Sequence, residues 1–178
     1  MDEQLDRLTG LLRQRNALDA DIASILGRPM TSGHAGEWIA SHVFDIQLEA
    51  SASAAAIDGR FRTGPLAGRT VNVKWYLLRE GMLDMTESEV LDYYLVLTGP
   101  PATAATARQR LRPWVITNVY LFDARALAGD LRSRGRRIGT ASSVRNEHWA
   151  AAEVFPSNAH PVLQLTQQQG DALARFQP

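Results

Sequence analysis

The sequence predicts an α/β protein of the α+β kind, with a mixed central sheet flanked by helices and an amphipathic helix at the N-terminus. Residues 2–26 have apolar side chains three and four positions apart, which is typical of a helix. Residues 70–75 alternate polar and apolar side chains, and residues 93–98 form a continuous apolar run; both patterns are typical of strands. Because predicted strands and helices are interspersed, the sequence excludes a helical bundle and a β-sandwich.

The length and composition are those of a globular chain. Its 178 residues are enough for one α/β domain at 29–178, preceded by a helical extension at 1–28. Nineteen basic and nineteen acidic residues cancel, which excludes a strongly basic nucleic-acid binder and leaves a local cationic patch as the way to contact a polyanion. The sequence has no cysteine, no apolar run of membrane-spanning length and no signal peptide, so we expect a soluble cytoplasmic protein.

The predicted N-terminal helix carries one apolar stripe, and Gly27 and Pro29 end it. The stripe either packs on the domain behind it or pairs with a second copy of the chain, which would make the protein a homodimer. Its members are Leu5, Leu8, Leu11, Leu12, Leu18, Ile22, Ile25 and Leu26.

A second helix is predicted at 34–44, after the cap-like Thr31. Glu37 lies beside the buried side of this helix, where a glutamate commonly complements the helix dipole. A first strand follows at 45–49, because its apolar residues alternate with polar ones.

A β-hairpin is predicted at 57–76, and the rest of the chain is organised around it. A short strand carrying Asp58 leads through a glycine- and proline-rich turn to the strand at 70–75. The period of two gives this strand an apolar face of Val71, Val73 and Trp75 and a polar face of Thr70, Asn72 and Lys74.

Strands and short helices are predicted to alternate in the second half of the chain. A capping box at 86–89 predicts a helical turn before the strand at 93–98. Asp123 is expected to cap a helix. The other predicted elements are a strand at 114–122, the capped helix at 124–134, a loop or edge strand at 138–143, and helices at 144–154 and 166–176.

Four polar residues of the second helix and the hairpin lie within apolar sequence: Glu37, Asp58, Asn72 and Lys74. One interpretation is structural, with the hairpin at a sheet edge, its polar face solvated, and Glu37 and Lys74 as ordinary surface residues. The other is a functional site, because a helix carboxylate, a strand aspartate and an Asn-x-Lys on the next strand follow one another in order.

In this order the four residues resemble the PD-(D/E)XK nuclease superfamily, to which many restriction enzymes and repair nucleases belong. The resemblance covers residues 30–100 and is carried by the motifs GHAGEWIA, IDGR and VNVKW. It implies a restriction-endonuclease-like fold in which the four side chains converge at one end of the sheet. It also implies a metal-dependent hydrolase that cleaves DNA, with Lys74, Asp58, Asn72 and Glu37 as catalytic residues.

The resemblance gives each residue a part in phosphodiester hydrolysis. Asp58 would be the central ligand of Mg²⁺ or Mn²⁺, with Glu37 and the amide oxygen of Asn72 as further ligands. Such an ion neutralises the scissile phosphate and lowers the pKa of a bound water. Lys74 would orient or deprotonate the attacking water and stabilise the developing negative charge.

Asn72 departs from the family pattern, which usually has Glu or Asp at this position. Because a neutral amide binds a divalent ion more weakly than a carboxylate, two functions stay open. One is a nuclease, and the other is an inactive module of the same fold that binds nucleic acid or a partner protein. Contact with nucleic acid would use exposed cations, although a solvated surface explains the candidates equally well: Arg60, Arg62, Arg69, Arg108, Arg110 and Arg112.

Overall fold

The chain folds into an α+β structure, which confirms the fold class expected from the sequence. The computed structural model describes residues 2–50, 56–102 and 111–178, and these contain five α-helices and eight strands. The helices are α1 (Glu3–Leu26), α2 (Ser32–Val43), α3 (Ala124–Ser133), α4 (Asn146–Ala152) and α5 (Gln167–Ala174). The strands are β1 (Ile46–Leu48), β2 (Gly59–Phe61), β3 (Thr70–Tyr76), β4 (Met82–Leu83), β5 (Tyr93–Thr98), β6 (Asn118–Asp123), β7 (Ser142–Ser143) and β8 (Glu153–Phe155).

The strand that carries Asn72 and Lys74 lies inside the large sheet. The strand order is β1-β2-β3-β5-β6-β8, and the short strands β4 and β7 form a separate antiparallel pair. β3 is antiparallel to β2 and parallel to β5, while β5, β6 and β8 are antiparallel neighbours. The edge-hairpin interpretation is therefore wrong, because β3 has a strand on each side and Asn72 is only 7% exposed.

The two faces of the large sheet cover two separate hydrophobic cores. Val71, Val73 and Trp75 belong to the core that contains the apolar side of α2, as the predicted alternation requires. The opposite face contributes Tyr94 and Val96 of β5 to the core beneath α3 and α4. Asn72 and Lys74 are the register partners of these two β5 residues. The polar residues of β3 thus lie on a largely apolar face.

A glycine lets α2 approach β3 closely and so positions Glu37. A Cβ atom at Gly36 would lie 2.9 Å from the Cβ of Trp75, which is closer than side chains normally pack. Thr31 caps the helix, since its hydroxyl accepts a hydrogen bond from the backbone amide of His34 at 3.1 Å. Glu37 follows Gly36 directly and is held beside the sheet.

The interpretation that the apolar stripe of α1 packs on its own domain is wrong. α1 contains no buried residue, and six of its large apolar side chains are 48–65% exposed. Only the last turn approaches the domain, where Leu26 packs against the core of the α2 side. The helix then ends at Gly27, whose φ of 67° is in the left-handed region.

Three predicted elements differ from the structure in the second half of the chain. Residues 86–89 form no helical turn, because the hydroxyl of Tyr94 bonds both the amide and the carbonyl of Thr86, at 2.9 and 3.0 Å. The strand predicted at 114–122 begins only at Asn118, since the amide of Ile116 donates instead to the carbonyl of Phe176 at 2.9 Å. The helix predicted at 144–154 ends at Ala152, and the following residues form β8 beside β6.

Among the described residues, no helix is long and apolar enough to cross a lipid bilayer.

The close approach at Gly36 makes a prediction about stability. Gly36→Ala should lower the free energy of unfolding by about 1–3 kcal/mol, because an added methyl group forces α2 away from β3. For a chain of this size that loss lowers the melting temperature by about 2–4 °C per kcal/mol.

Gly33→Ala in the same helix is the matched control for this measurement. A Cβ at Gly33 meets only the Thr31 hydroxyl at 3.8 Å, so alanine there should preserve or raise stability through its higher helix propensity. Equal melting temperatures for the two variants would contradict the close packing of α2 on β3.

Candidate functional site

Asp58 lies where β2 separates from β3. The two strands are paired only at Gly59–Val71 and Arg60–Thr70. Immediately before these pairs, the amide of Asp58 donates to the carbonyl of Val71 at 2.9 Å. Its carboxylate Oδ2 then accepts a hydrogen bond from the backbone amide of Val73 at 2.7 Å. A side chain therefore takes the place of a strand partner at this point, and the hydrogen bond fixes the orientation of the carboxylate.

The electrostatic surroundings of Asp58 bring three of the predicted site residues together. Burial raises the pKa of Asp58 above its usual range, and the hydrogen bond from Val73 partly opposes that shift. The negative charge of Glu37 raises the pKa further, whereas the positive charges of Lys74 and Arg28 lower it. Glu37 and Lys74 are thus each close enough to act on the charge of Asp58.

Glu37 shares this region with a cation that the sequence analysis does not identify. Its Oε2 accepts a hydrogen bond from Nη1 of Arg28 at 2.5 Å, and its side chain is only 18% exposed. Arg28 lies in the link between α1 and α2, nine positions before Glu37. No motif marks such a pair, because the link has no regular spacing from which its side-chain contacts could be predicted.

Lys74 is the only lysine in a chain with nineteen basic residues. It is partly buried on β3, and its ammonium group forms no ion pair or hydrogen bond with any described residue. The charge interacts with the carboxylate of Asp58 without direct contact. The ammonium is a compact point charge that can pair with an anion.

Asn72 follows Asp58 and precedes Lys74 in the sequence, and its side chain is buried. Its Nδ2 donates to the carbonyl of Ala56 at 3.1 Å. Its Oδ1 is buried and has no hydrogen-bond partner among the described residues. An unpaired buried acceptor costs about 1–3 kcal/mol, so this oxygen is a free ligand for a cation or another donor.

The side chains predicted for the site are of the kind that binds a hard divalent cation; Asp58 interacts with the charge of Glu37, whereas Asn72 lies on the sheet face opposite the core that contains α2. Two carboxylates and one free amide oxygen are the oxygen ligands that Mg²⁺ and Mn²⁺ prefer. A cation would also relieve the repulsion between Asp58 and Glu37, which raises the pKa of Asp58. No three His, Cys, Asp or Glu side chains of the described residues lie together in a way that could hold a metal.

The predicted nucleic-acid contacts that the structure describes are exposed, but each already has a carboxylate partner. Arg60 pairs with Glu49 at 3.6 Å, and Arg62 pairs with Asp45. Two more pairs form at 3.4 and 3.2 Å, between Arg69 and Asp92 and between Arg112 and Glu80. Arg108 and Arg110 lie outside the described residues. Exposed ion pairs of this kind are weak, about 0–1 kcal/mol each, so a phosphate can compete for the arginines.

The comparisons with known proteins identify no family for this chain. No protein-family model matches the sequence, and no curated protein matches it significantly. The likeness to the PD-(D/E)XK superfamily therefore depends on four residues and on the helix and strands that carry them.

The raised pKa of Asp58 predicts a stabilising substitution within the site. Because the folded chain holds the Asp58 proton more tightly than the unfolded chain, ionisation of Asp58 destabilises the fold. This cost is absent below the ordinary pKa of 3.8 and complete above the raised pKa. At neutral pH, Asp58→Asn should melt at a temperature at least as high as the wild type, and this advantage should vanish at low pH.

Asp92→Asn is the control of opposite sign. Burial alone would raise the pKa of Asp92, but hydrogen bonds from the amide and hydroxyl of Thr70 outweigh it and lower the pKa. Its stabilising effect is present above 3.8 and lost as the pH falls through the lowered pKa, so Asp92→Asn should melt lower at neutral pH. Thermal melts of both variants across the acid pH range test the two predictions. A lower melting temperature of Asp58→Asn at neutral pH would show that the charge of Asp58 stabilises the fold.

Proposed function

We propose that this chain is a Mg²⁺- or Mn²⁺-dependent nuclease that hydrolyses phosphodiester bonds in DNA. The observation that carries the proposal is the cluster at the separation of β2 and β3. There the Asp58 carboxylate interacts with the charges of Glu37 and Lys74. Asn72, two residues before Lys74 on β3, has a buried oxygen without a partner among the described residues. Resemblance to the PD-(D/E)XK superfamily supports the reaction class, since a helix carboxylate, a strand aspartate and a lysine on the next strand occur in the same order, with Asn72 in place of the usual acid.

The proposed ligands of the divalent ion are Asp58, Glu37 and Asn72. The ion would supply charge neutralisation at the scissile phosphate and a bound water of lowered pKa. Asp58 is suited to hold it because the amide of Val73 fixes one carboxylate oxygen, while Oδ1 forms no hydrogen bond with a described residue. Glu37 must exchange the Arg28 guanidinium for the ion, and Arg28 is then free to contact a phosphate.

Lys74 would act on the phosphate and the attacking water. Its ammonium is a compact point charge without a close partner, so it can stabilise negative charge that develops on the phosphate oxygens. It also interacts with Asp58, which places it next to the proposed ion. These two properties suit it to orient the nucleophilic water.

A second candidate function is a binding module that does not cut. The ion pair between Arg28 and Glu37, at 2.5 Å, favours it because an internal cation already neutralises one proposed metal ligand. The neutral Asn72 favours it as well, since it removes the charge that the family usually supplies. In this alternative Lys74 and the exposed arginines bind nucleic acid or an acidic partner protein without metal.

The neutral net charge suggests how DNA would be held in either function. With nineteen basic and nineteen acidic residues, one chain attracts a polyanion only weakly at physiological salt. We therefore propose that it acts as a homodimer or beside a partner protein, since two binding surfaces on one polymer raise the effective affinity.

Cleavage assays on Lys74 variants test the nuclease proposal. Lys74→Met should lower the rate of plasmid or single-stranded DNA cleavage in Mg²⁺ or Mn²⁺ by about 100-fold or more, while Lys74→Arg, which keeps the charge, should lower it less. Asp58→Ala should abolish cleavage, and Arg132→Ala at an exposed ion pair with Glu87, outside the predicted site, should change it little. Intact DNA under all metal conditions, together with a gel shift that survives chelation, would favour the binding module.

A charge added at position 72 tests the ligand set directly. Asn72→Asp should tighten Mn²⁺ binding, because a carboxylate replaces an amide at nearly constant volume. Without metal the variant should be less stable, since an anionic oxygen would face the Ala56 carbonyl that Asn72 now contacts. With saturating Mn²⁺ the variant should regain this stability. Each tenfold gain in Mn²⁺ affinity adds about 1.4 kcal/mol to the free energy of unfolding.

Calorimetry and thermal shift on the wild type and Asn72→Asp provide the measurement, with circular dichroism as the folding control. If neither protein binds a divalent ion at millimolar concentration, the metal-dependent mechanism is wrong and the binding module is the remaining proposal.

A further inference from the structure

The N-terminal helix exposes an apolar surface that its own chain does not cover. α1 spans 24 residues and has no buried side chain. A long isolated helix gains little stability from propensity alone, because most helical stability in proteins comes from packing of an apolar face. The exposed residues are Leu5, Leu8, Leu11, Leu12, Leu18 and Ile25, at 48–65% exposure.

The spacing on this surface is that of a two-helix seam. Positions 8, 11, 15, 18, 22 and 25 alternate in steps of three and four, as the core positions of a coiled coil do. All of them are Leu or Ile except Arg15, which lies at the middle of the helix. Arg15 forms an ion pair of 3.7 Å with Asp19 on the same side of α1. The seam thus has two apolar halves separated by one charged turn.

We propose that two copies of this chain pair through α1 in antiparallel orientation, with the dimer axis near positions 16 and 17. In this register Leu8 packs at the level of the partner's Ile25, and Leu11 at the level of the partner's Ile22. The apolar halves of the two helices then cover each other. This inference rests on α1 and is independent of the proposed nuclease activity.

Charge complementarity selects the antiparallel orientation. In a parallel pair, Arg15 would face the partner's Arg15 inside the seam, which places two like charges in contact. In the antiparallel pair, Arg15 lies within one residue's rise of the partner's Asp19 and on the same side of the seam. The ion pair observed within one helix at 3.7 Å then extends to a neutral set of two arginines and two aspartates.

Mass measurement in solution tests the pairing. Light scattering on the full chain should give twice the chain mass of 19.6 kDa at micromolar concentration. The double variant Leu11→Glu/Ile22→Glu should raise the dissociation constant by about 100-fold or more, because it places charges in both apolar halves. Its fold should persist, since neither residue is buried in the single chain. Arg13→Glu, away from the seam, should leave the dimer intact.

Introduced cysteines test the orientation, because the natural chain has none. Oxidation of a mixture of Leu8→Cys and Ile25→Cys chains should give a mixed disulfide dimer, whereas either variant alone should stay largely uncrosslinked. A wild-type monomer at 100 µM, or a four-chain mass, would overturn the pairing; efficient crosslinking of Leu8→Cys with itself would overturn the antiparallel register. Binding of another protein by a monomeric wild type would likewise assign the surface to a different partner.

Discussion

The hydrogen bond from the amide of Val73 to the carboxylate of Asp58 is the interaction on which the candidate site depends. At 2.7 Å it ends the pairing of β2 with β3, because a side chain occupies the position that a backbone carbonyl of β2 would otherwise fill. It also holds the carboxylate in a partly buried place where its pKa is raised. The charge of Lys74 on β3 acts on this carboxylate.

Several groups around this hydrogen bond reduce the stability of the fold, which is common where residues serve a function. Burial of Asp58 opposes its ionisation, and the Oδ1 of Asn72 is buried without a partner among the described residues. The Lys74 ammonium has no close counter-ion among the described residues. In the proposed nuclease, a divalent ion and an anionic substrate would offset these unfavourable groups, and the ion pair of Arg28 with Glu37 would compete with the metal.

The sequence predicts the helices and strands of the fold better than it predicts the tertiary contacts between them. Alternation in β3 and the Asp123 cap of α3 are local signals, and the structure agrees with both. Helix stripes, however, show which face is apolar and not what covers it, so the packing of α1 could not be predicted. The helical turn expected at Thr86 is replaced by a hydrogen bond to Tyr94, which is eight positions away. The order of motifs predicts the residue types of the candidate site. The contacts of Arg28 and of the Val73 amide join residues that are distant in sequence, so no motif predicts them.

The single lysine of the chain offers the most direct test of the proposed metal site. Reductive ¹³C-methylation keeps the charge of Lys74 and gives one lysine resonance, separable by its titration from that of the α-amino group. If a divalent ion binds Asp58 and Glu37 beside this side chain, paramagnetic Mn²⁺ should broaden the Lys74 signal selectively. Excess Mg²⁺ should reverse the broadening, and Asp58→Asn should lack it. A Lys74 signal that stays sharp at millimolar Mn²⁺, or that broadens equally in Asp58→Asn, would contradict a metal site at the separation of β2 and β3.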